Sequence, residues 1–154
     1  MIATALAVLG TLLGAVVSGV FQNRAAGRSE KAARAQQLRR DQLEAVTALA
    51  VAVSDHRSAM WVRGDAVIKN DAAERVRDLQ AKTHATRSAV TRPLVTLRIH
   101  VTDPAVRRAA DEMITATYGM RGAYDSADAL AEARRVALGA HDHFVDVAAE
   151  YLHR

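Results

Sequence analysis

The run from Ile2 to Phe21 constrains this chain most, because it holds twenty consecutive residues without a charged side chain. At about 1.5 Å of rise per residue, a helix of that length spans about 30 Å, the hydrocarbon thickness of a bilayer. No Lys or Arg precedes the run, whereas Arg24, Arg28 and Lys31 follow it closely. By the positive-inside rule, this asymmetry predicts a single-pass anchor with its N-terminus outside and its C-terminal domain in the cytoplasm.

Two alternatives to an anchor stay open for this run. A cleaved signal peptide normally has basic residues before its apolar stretch and a small-x-small site after it, and the flanks here differ from that pattern. A buried core helix is the other alternative, although a long apolar run at the extreme N-terminus favours a membrane span.

Small residues recur at every fourth position of the run, and Gly10, Gly14 and Ser18 form one of the resulting ridges. Helices in lipid associate where small residues let their backbones approach closely. The ridge therefore predicts self-association into a homo-oligomer. The competing interpretation is a plain anchor in a chain that is simply rich in small residues, since 33 of its 154 residues are Ala.

The net charge of +4 is concentrated just after this run. One acid, Glu30, stands among six basic residues: Arg24, Arg28, Lys31, Arg34, Arg39 and Arg40. From Gly64 to the C-terminus the chain is neutral, with 13 basic and 13 acidic residues. The basic segment predicts contact with anionic lipid, and fixing the topology is an equally good interpretation. Nucleic acid is disfavoured as a partner, because aromatic interleaving and a helix-turn-helix pattern are both missing.

Helical periodicity dominates the rest of the chain. One stripe on a helix from about Ser29 to Val62 comprises Leu43, Val46, Leu49, Ala50, Val53 and Met60. A weaker stripe follows at Val76, Leu79, Thr83, Thr86 and Val90. The clearest seam, on a helix from about Ser126, comprises Leu130, Ala133, Ala137, Ala140, Phe144, Val147 and Tyr151. Steps of three and four residues place the second and third sets each on one face of a helix, and the members of the first set also share a face, since they are related by spacings of three, four and seven.

Capping and turn residues set the predicted boundaries. The Gly64 region and the Asn70-Asp71 pair predict a turn, after which Asp71 and Glu74 form a capping box. Asp103-Pro104 predicts a further helix start, with Asp at the N-cap and Pro in the first turn. That helix should end near Gly119 to Gly122.

Residues 94–101, next to Pro93, fit either a strand or a helix. Their side chains alternate loosely, but Val90, Leu94, Leu97 and Val101 also share a helical face. A lone strand would lack a pairing partner, so a helix kinked at Pro93 is favoured.

These elements predict an all-α fold, in which an N-terminal transmembrane helix continues into an antiparallel three- to four-helix bundle with a long, coiled-coil-like stalk helix. The predicted domains are the anchor (1–21), a basic juxtamembrane helix (22–42) and a cytoplasmic bundle (43–154).

Candidate chemistry is sparse. The chain has no Cys, which excludes thiolate metal sites and a cysteine nucleophile. His141 and His143 are two residues apart and therefore point to different sides of a helix, so no metal or cofactor is predicted. No acid, base and nucleophile set stands at usable spacing, which argues against an enzyme.

One cluster merits attention as a ligand or partner site: Asp55, His56, Arg57 and Trp61, the last being the only tryptophan. Its polar members could meet His84, Thr86 and Arg87 across the bundle. A buried polar contact without a ligand is the simpler interpretation.

The N-terminal half resembles a group of small actinobacterial membrane-anchored proteins of the KilB type. The shared features are GTLLG at residues 10–14, the junction Phe21-Gln22-Asn23-Arg24, and the neighbourhood of residues 54–61, so the resemblance covers roughly residues 5–65. It implies an accessory protein without catalysis, linked to the spread of Streptomyces conjugative plasmids between mycelial compartments.

Two functions of different class follow. The first is a membrane-tethered, non-enzymatic module in plasmid transfer or spread, which self-associates or recruits an unknown protein partner. The second is a membrane-anchored ligand-binding or sensory domain that uses the Asp55, His56, Arg57 and Trp61 cluster.

Overall fold

A computed structural model describes the backbone of residues 2–154 and the side chains of residues 30–154. Four α-helices account for most of it, and residues 2–154 contain no strand. The helices are α1 (Ile2–Ile68), α2 (Ala73–His100), α3 (Pro104–Gly119) and α4 (Ala127–His153), with a 3-10 helix at Met120–Ala123. The prediction of an all-α fold is confirmed.

The chain divides into two units, Met1–Arg39 and Arg40–Arg154. In the first unit, residues 30–39 are helical and every one of their side chains is exposed. In the second unit, the rest of α1 joins the other three helices in a bundle.

Cross-helix contacts define the directions of α2 and α4 relative to α1. Gln42 Nε2 of α1 donates both to the His100 carbonyl oxygen at the end of α2 (3.0 Å) and to the Tyr151 hydroxyl near the end of α4 (2.9 Å). Further along α1, Arg63 Nη2 donates to Gln80 Oε1 near the start of α2, at 3.3 Å. Helix α2 therefore runs antiparallel to α1 within Arg40–Arg154. Helix α4 does so too, because Leu130 near its start lies against Gly64 near the end of α1.

Two apolar clusters form the core of the bundle. The larger includes Leu49, Val53, Leu97, Met113 and Phe144, all fully buried. The smaller centres on Met60, Met120, Leu130 and Ala137. Every residue of the predicted α4 seam is buried or half-buried, because its three- and four-residue steps keep one face inward. Leu43 is the exception among the α1 predictions: it is 55% exposed, since the buried stripe begins one turn later at Ala45 and Val46.

The helix starts agree with the sequence at two of three positions. Asp103 Oδ1 accepts from the backbone N–H groups of Ala105 (2.8 Å) and Val106 (3.1 Å), and Pro104 occupies the first turn. Ser126 Oγ accepts from the N–H of Ala129 at 3.1 Å. Both side chains satisfy backbone donors that the first helical turn leaves unpaired.

The predicted capping box at Asp71 is wrong. Ala72 is the N-cap of α2 and supplies no side-chain cap. Asp71 Oδ2 instead pairs with Arg75 Nε at 3.2 Å, because the helix begins one residue later than the capping pattern required. The turn itself is carried by Asn70, whose φ of 54° lies in the left-handed region. Asn tolerates that region better than most side chains.

The turn predicted at Gly64 is also wrong, because α1 runs through that residue to Ile68. Gly64 is buried where α1 meets Tyr124 and Leu130, so its missing side chain serves close packing rather than a turn.

Residues 94–100 are helical, and the strand alternative is wrong. Pro93 lies inside α2, which continues to His100. Val101 then leaves the helix with extended backbone, while its N–H still donates to the Leu97 carbonyl oxygen at 2.8 Å. Leu97 and Val101 are both fully buried, as the helical spacing required.

Within the residues whose side chains are described, no helix is long and apolar enough to cross a membrane. The anchor predicted at residues 1–21, its ridge of Gly10, Gly14 and Ser18, and the basic residues Arg24 and Arg28 all lie outside those residues.

Candidate functional site

A recess between α1, α2 and the end of α3 gathers most of the polar chemistry of the bundle. We call it the basic recess, and its chemically relevant residues are His56, Arg63, His84, Arg87, Tyr118 and Arg121. Met60 and Thr83 complete its lining, and no carboxylate is present among the described residues that line it. Five of these eight side chains carry a positive charge or acquire one on protonation.

His56 lies at the buried base of this recess, with 2% of its surface exposed. Its Nδ1 is 2.9 Å from Thr86 Oγ1. The Thr86 hydroxyl donates its one proton to backbone carbonyls of its own helix, 3.1 Å from both the Lys82 and the Thr83 oxygen. With its proton on these carbonyls, Thr86 accepts from His56, and this assignment puts the proton on Nδ1 and the lone pair of the neutral ring on Nε2.

The surroundings of His56 disfavour its charged form. Burial is the main cause that lowers the pKa of His56, and the nearby positive charge of Arg87 lowers it further. The imidazole also packs edge-on against the Tyr118 ring, with centroids 5.2 Å apart. A histidine of this kind is a neutral, fixed group at neutral pH.

The arginines of the recess rest on aromatic rings rather than on acids. Arg87 Cζ lies 4.5 Å from the centroid of Tyr118, and Arg63 Cζ lies 5.8 Å from that of Tyr124. Within the described residues, neither of them nor Arg121 forms an ion pair. The Nε of Arg63 is buried and has no hydrogen-bond partner there. Positive charge in the recess is therefore left without a protein counter-ion.

The predicted cluster of Asp55, His56, Arg57 and Trp61 divides over different sides of α1. His56 faces the recess and meets Thr86, as the sequence suggested. Asp55 is exposed and lines a separate groove with Lys82 and Thr86. Trp61 faces α4, where Arg134 Cζ stands 4.7 Å from its ring centroid.

Arg57 also faces α4 and is 9% exposed. Its Nη2 donates to Ser54 Oγ at 3.0 Å, while its Nη1 is buried without a partner in the described structure. Burial lowers the pKa of Arg57, the charge of Arg134 lowers it too, and Asp142 acts in the opposite direction. Arg57 and Trp61 thus share Arg134 as a neighbour and belong to a different surface from His56.

Sequence reasoning did not single out Arg63 or Arg121. The spacing held a usable signal for Arg63, because His56 and Arg63 are seven residues apart and so lie on one helical face. The sequence held no such signal for Arg121, because the position of this residue depends on how the 3-10 helix returns the chain toward α2.

Other predicted sites are less distinctive. Lys31, Arg34, Arg39 and Arg40 are all exposed, and Arg34 stands 3.8 Å from Glu30. Across the described side chains, no three His, Asp or Glu residues group closely enough to hold a metal ion.

Comparison with known proteins decides the family. The model of the KilB plasmid transfer protein family matches residues 43–152. This chain belongs to the KilB plasmid transfer protein family. It is also 40% identical, over 149 residues, to "Protein KilB" of Streptomyces lividans, and the match covers 97% of each chain. No solved structure matches the chain.

The similarity to KilB proteins extends over the bundle as well as over the N-terminal half of the chain. The sequence resemblance rested on residues 5–65, whereas the family match begins at residue 43 and continues through α4. The whole basic recess lies inside the matched range.

Proposed function

We propose that this chain is a membrane-tethered, non-enzymatic accessory protein of plasmid transfer or spread. Residues 1–21 form the anchor, residues 22–42 the basic juxtamembrane segment, and residues 43–154 a cytoplasmic bundle that acts by self-association or by recruiting a protein partner. Membership of the KilB family supports the role in plasmid transfer.

The observation that carries the tether is the order of the uncharged and basic segments. Twenty uncharged residues end at Phe21, and further along α1 Lys31, Arg34, Arg39 and Arg40 are exposed against one acid, Glu30. Each basic side chain near an anionic leaflet contributes on the order of 1 kcal/mol. Because successive residues of a helix are about 100° apart, these four charges surround α1 instead of forming one face. Basic residues within about 15–20 residues of a span fix its orientation whichever face of the helix they occupy, so this distribution suits a juxtamembrane segment and favours lipid over nucleic acid as the partner.

Membrane extraction tests the anchor. We expect the full-length chain to stay in the membrane fraction after alkaline carbonate treatment. The double variant Leu12→Lys/Val16→Lys should move to the soluble fraction, since each charge at the centre of a span costs about 2.5–3.5 kcal/mol. Val95→Lys/Ile99→Lys makes the same charge change at two exposed bundle positions and should leave the protein in the membrane. Complete extraction of the unmodified chain by carbonate would refute the anchor.

The cysteine-free sequence makes the topology directly measurable. Single variants Thr4→Cys and Ile99→Cys can be treated in intact cells with a maleimide that does not cross membranes. We expect labelling of Thr4→Cys, and labelling of Ile99→Cys only after the cells are permeabilised. The opposite pattern would overturn the proposed orientation.

Self-association has its own test. In cross-linking of the detergent-solubilised full-length chain, Gly14→Leu should lower the yield of dimer, because it enlarges the ridge of Gly10, Gly14 and Ser18. Val16→Leu enlarges a residue on the opposite side of the helix and should not. A strictly monomeric unmodified chain would exclude self-association and leave partner recruitment as the mode of action.

A further inference from the structure

We propose that the basic recess is a binding site for a small oxyanion, of the phosphate or phosphate-monoester class. The inference is independent of the membrane tether, because every residue that carries it lies in the bundle. It also concerns a different set of residues from the Asp55, His56, Arg57 and Trp61 cluster, with which it shares only His56.

The charge balance of the recess is the first argument. Arg63, Arg87 and Arg121 line one small recess together with His56 and His84, and no acid lines it among the described residues. Like charges held together raise the energy of the folded state unless a counter-ion joins them. Outside the recess, Arg98 pairs with Asp111 at 2.9 Å, whereas no acid lines the recess to do the same. The fold therefore brings positive charges together in the recess without an acid to neutralise them, and an anionic ligand would neutralise them.

Hydrogen-bond donors are the second argument. Guanidinium groups are the preferred donors to phosphate oxygens. Arg87 and Arg121 line the recess and are exposed, so their N–H groups can reach an anion that enters it.

The size of the recess limits the ligand. Its cavity is small, with a volume of about 30 Å³. A single tetrahedral oxyanion fits that space, whereas a large ligand could present only its terminal phosphate. Arg87, Arg121 and His84 are exposed at the rim, so an anion can enter without unfolding the bundle.

His56 links anion binding to pH. Its Nδ1–H is committed to Thr86, so the remaining nitrogen, Nε2, donates to an anion only when the ring is protonated. The charged and titratable groups facing it are Arg63 of α1, His84 and Arg87 of α2, and Tyr118 and Arg121 from the end of α3. The arginines among them repel a proton on His56, and a bound dianion offsets this repulsion and so favours proton uptake by His56. Anion affinity should therefore rise as the pH falls.

Titration calorimetry of the full-length chain in neutral detergent tests the proposal. Inorganic phosphate is added at a constant ionic strength set with chloride, so that specific phosphate binding is distinguished from non-specific screening of the protein's charges. We expect one saturable phosphate site per chain, with affinity at least ten-fold lower in Arg87→Gln and in Arg121→Gln. Both residues are exposed, so the variants should fold. Arg98→Gln, which makes the same charge change outside the recess, should bind as the unmodified chain does.

Two further arms identify the source of the phosphate and the role of His56. The first arm repeats the titration with glycerol phosphate in place of inorganic phosphate. Whichever of the two binds more tightly identifies the ligand as a phosphate monoester or as the free ion. Sulfate keeps its charge over the range in which histidine titrates, about pH 5–8, so any change in sulfate affinity over this range comes from the protein. We expect the affinity of the unmodified chain for sulfate to rise as the pH falls. The affinity of His56→Asn for sulfate should change less with pH. Absence of saturable binding at millimolar phosphate, or equal binding by the recess variants and Arg98→Gln, would overturn the proposal.

Discussion

Gly64 of α1 lies directly against the ring of Tyr124: a methyl group at Gly64 would stand 2.7 Å from Tyr124 Cε1 and 2.8 Å from Leu130 Cδ2. The ring cannot easily withdraw, because the Tyr124 hydroxyl donates to the Met60 carbonyl oxygen at 3.0 Å. Burial also raises the pKa of Tyr124, although Arg63 and Arg121 oppose the shift. This contact fixes the spacing between α1 and the chain that enters α4, next to the basic recess.

Gly64→Ala should destabilise the bundle by about 1–3 kcal/mol, the usual cost of overpacking, despite the better helix propensity of Ala. Gly139→Ala is the matched control, because Gly139 is also helical and has nothing within 4 Å of the added methyl group. It should stabilise the protein by about 0.5–1 kcal/mol. Urea unfolding followed by circular dichroism measures both, and equal stabilisation by the two variants would contradict the close contact.

Thr117→Val should leave the free energy of unfolding unchanged or raise it by up to about 1 kcal/mol. Thr117 is fully buried and its hydroxyl has no partner among the described residues, so the substitution removes an unpaired polar group and keeps the shape. Thr83→Val is the control: that hydroxyl donates to the Gln80 carbonyl oxygen at 2.7 Å, and its loss should cost about 0.5–1.5 kcal/mol. A larger loss for Thr117→Val than for Thr83→Val would show that Thr117 has a partner.

Phe144→Ala should cost about 3–5 kcal/mol, because Phe144 is the largest fully buried side chain among residues 30–154 and its removal leaves a cavity between the helices. The next residue supplies the control, since Val145 is 41% exposed and Val145→Ala should change stability by no more than about 0.5 kcal/mol. Thermal unfolding of the two variants under one condition makes the comparison. Similar losses would mean that α4 does not present the predicted seam to the core.

His56 should make the bundle less stable at acid pH. Its pKa is lowered in the folded state, whereas the unfolded chain has the ordinary value of about 6.5. As the pH falls through about 6.5, the unfolded state therefore binds the proton first, and stability declines until the folded-state pKa is passed. His56→Asn preserves a donor toward Thr86 but does not titrate.

The measurement is the free energy of unfolding of both proteins across this pH range in buffer free of phosphate and sulfate. The stability of the unmodified chain relative to His56→Asn should be constant above the window and fall within it. A relative gain at acid pH would mean that His56 is stabilised as a cation.

Arg57→Met should leave stability unchanged or raise it, by about 1 kcal/mol or more, because it replaces a buried guanidinium with an apolar chain of similar reach. The Nη1 group that it removes has no partner in the described structure. Chemical denaturation measures the free energy of unfolding of both proteins. Removing one partner of a buried charge pair typically lowers this free energy by about 3 kcal/mol or more, so a loss of that size would reveal a partner of Arg57.

Local chemistry made much of the helical architecture predictable. Asp103-Pro104 and Ser126 mark real helix starts because an N-cap acts on the backbone N–H groups of the next two or three residues. The α4 seam is likewise readable from spacing alone. The capping prediction at Asp71 was wrong because a capping pattern does not show which other groups compete for the carboxylate, and this carboxylate pairs with Arg75 instead.

The sequence by itself determined the all-α class, the α3 and α4 boundaries, the concentration of charge after Phe21 and the family, since each depends on residues close together or on the order of the chain. Only the tertiary structure decided that Gly64 is a packing glycine, that His56 and Arg57 face different helices, and that Arg121 joins Arg63 and Arg87 in one recess. The physical reason is distance along the chain: Gly64 meets Tyr124, and His56 meets Thr86, through helix packing that no local propensity encodes.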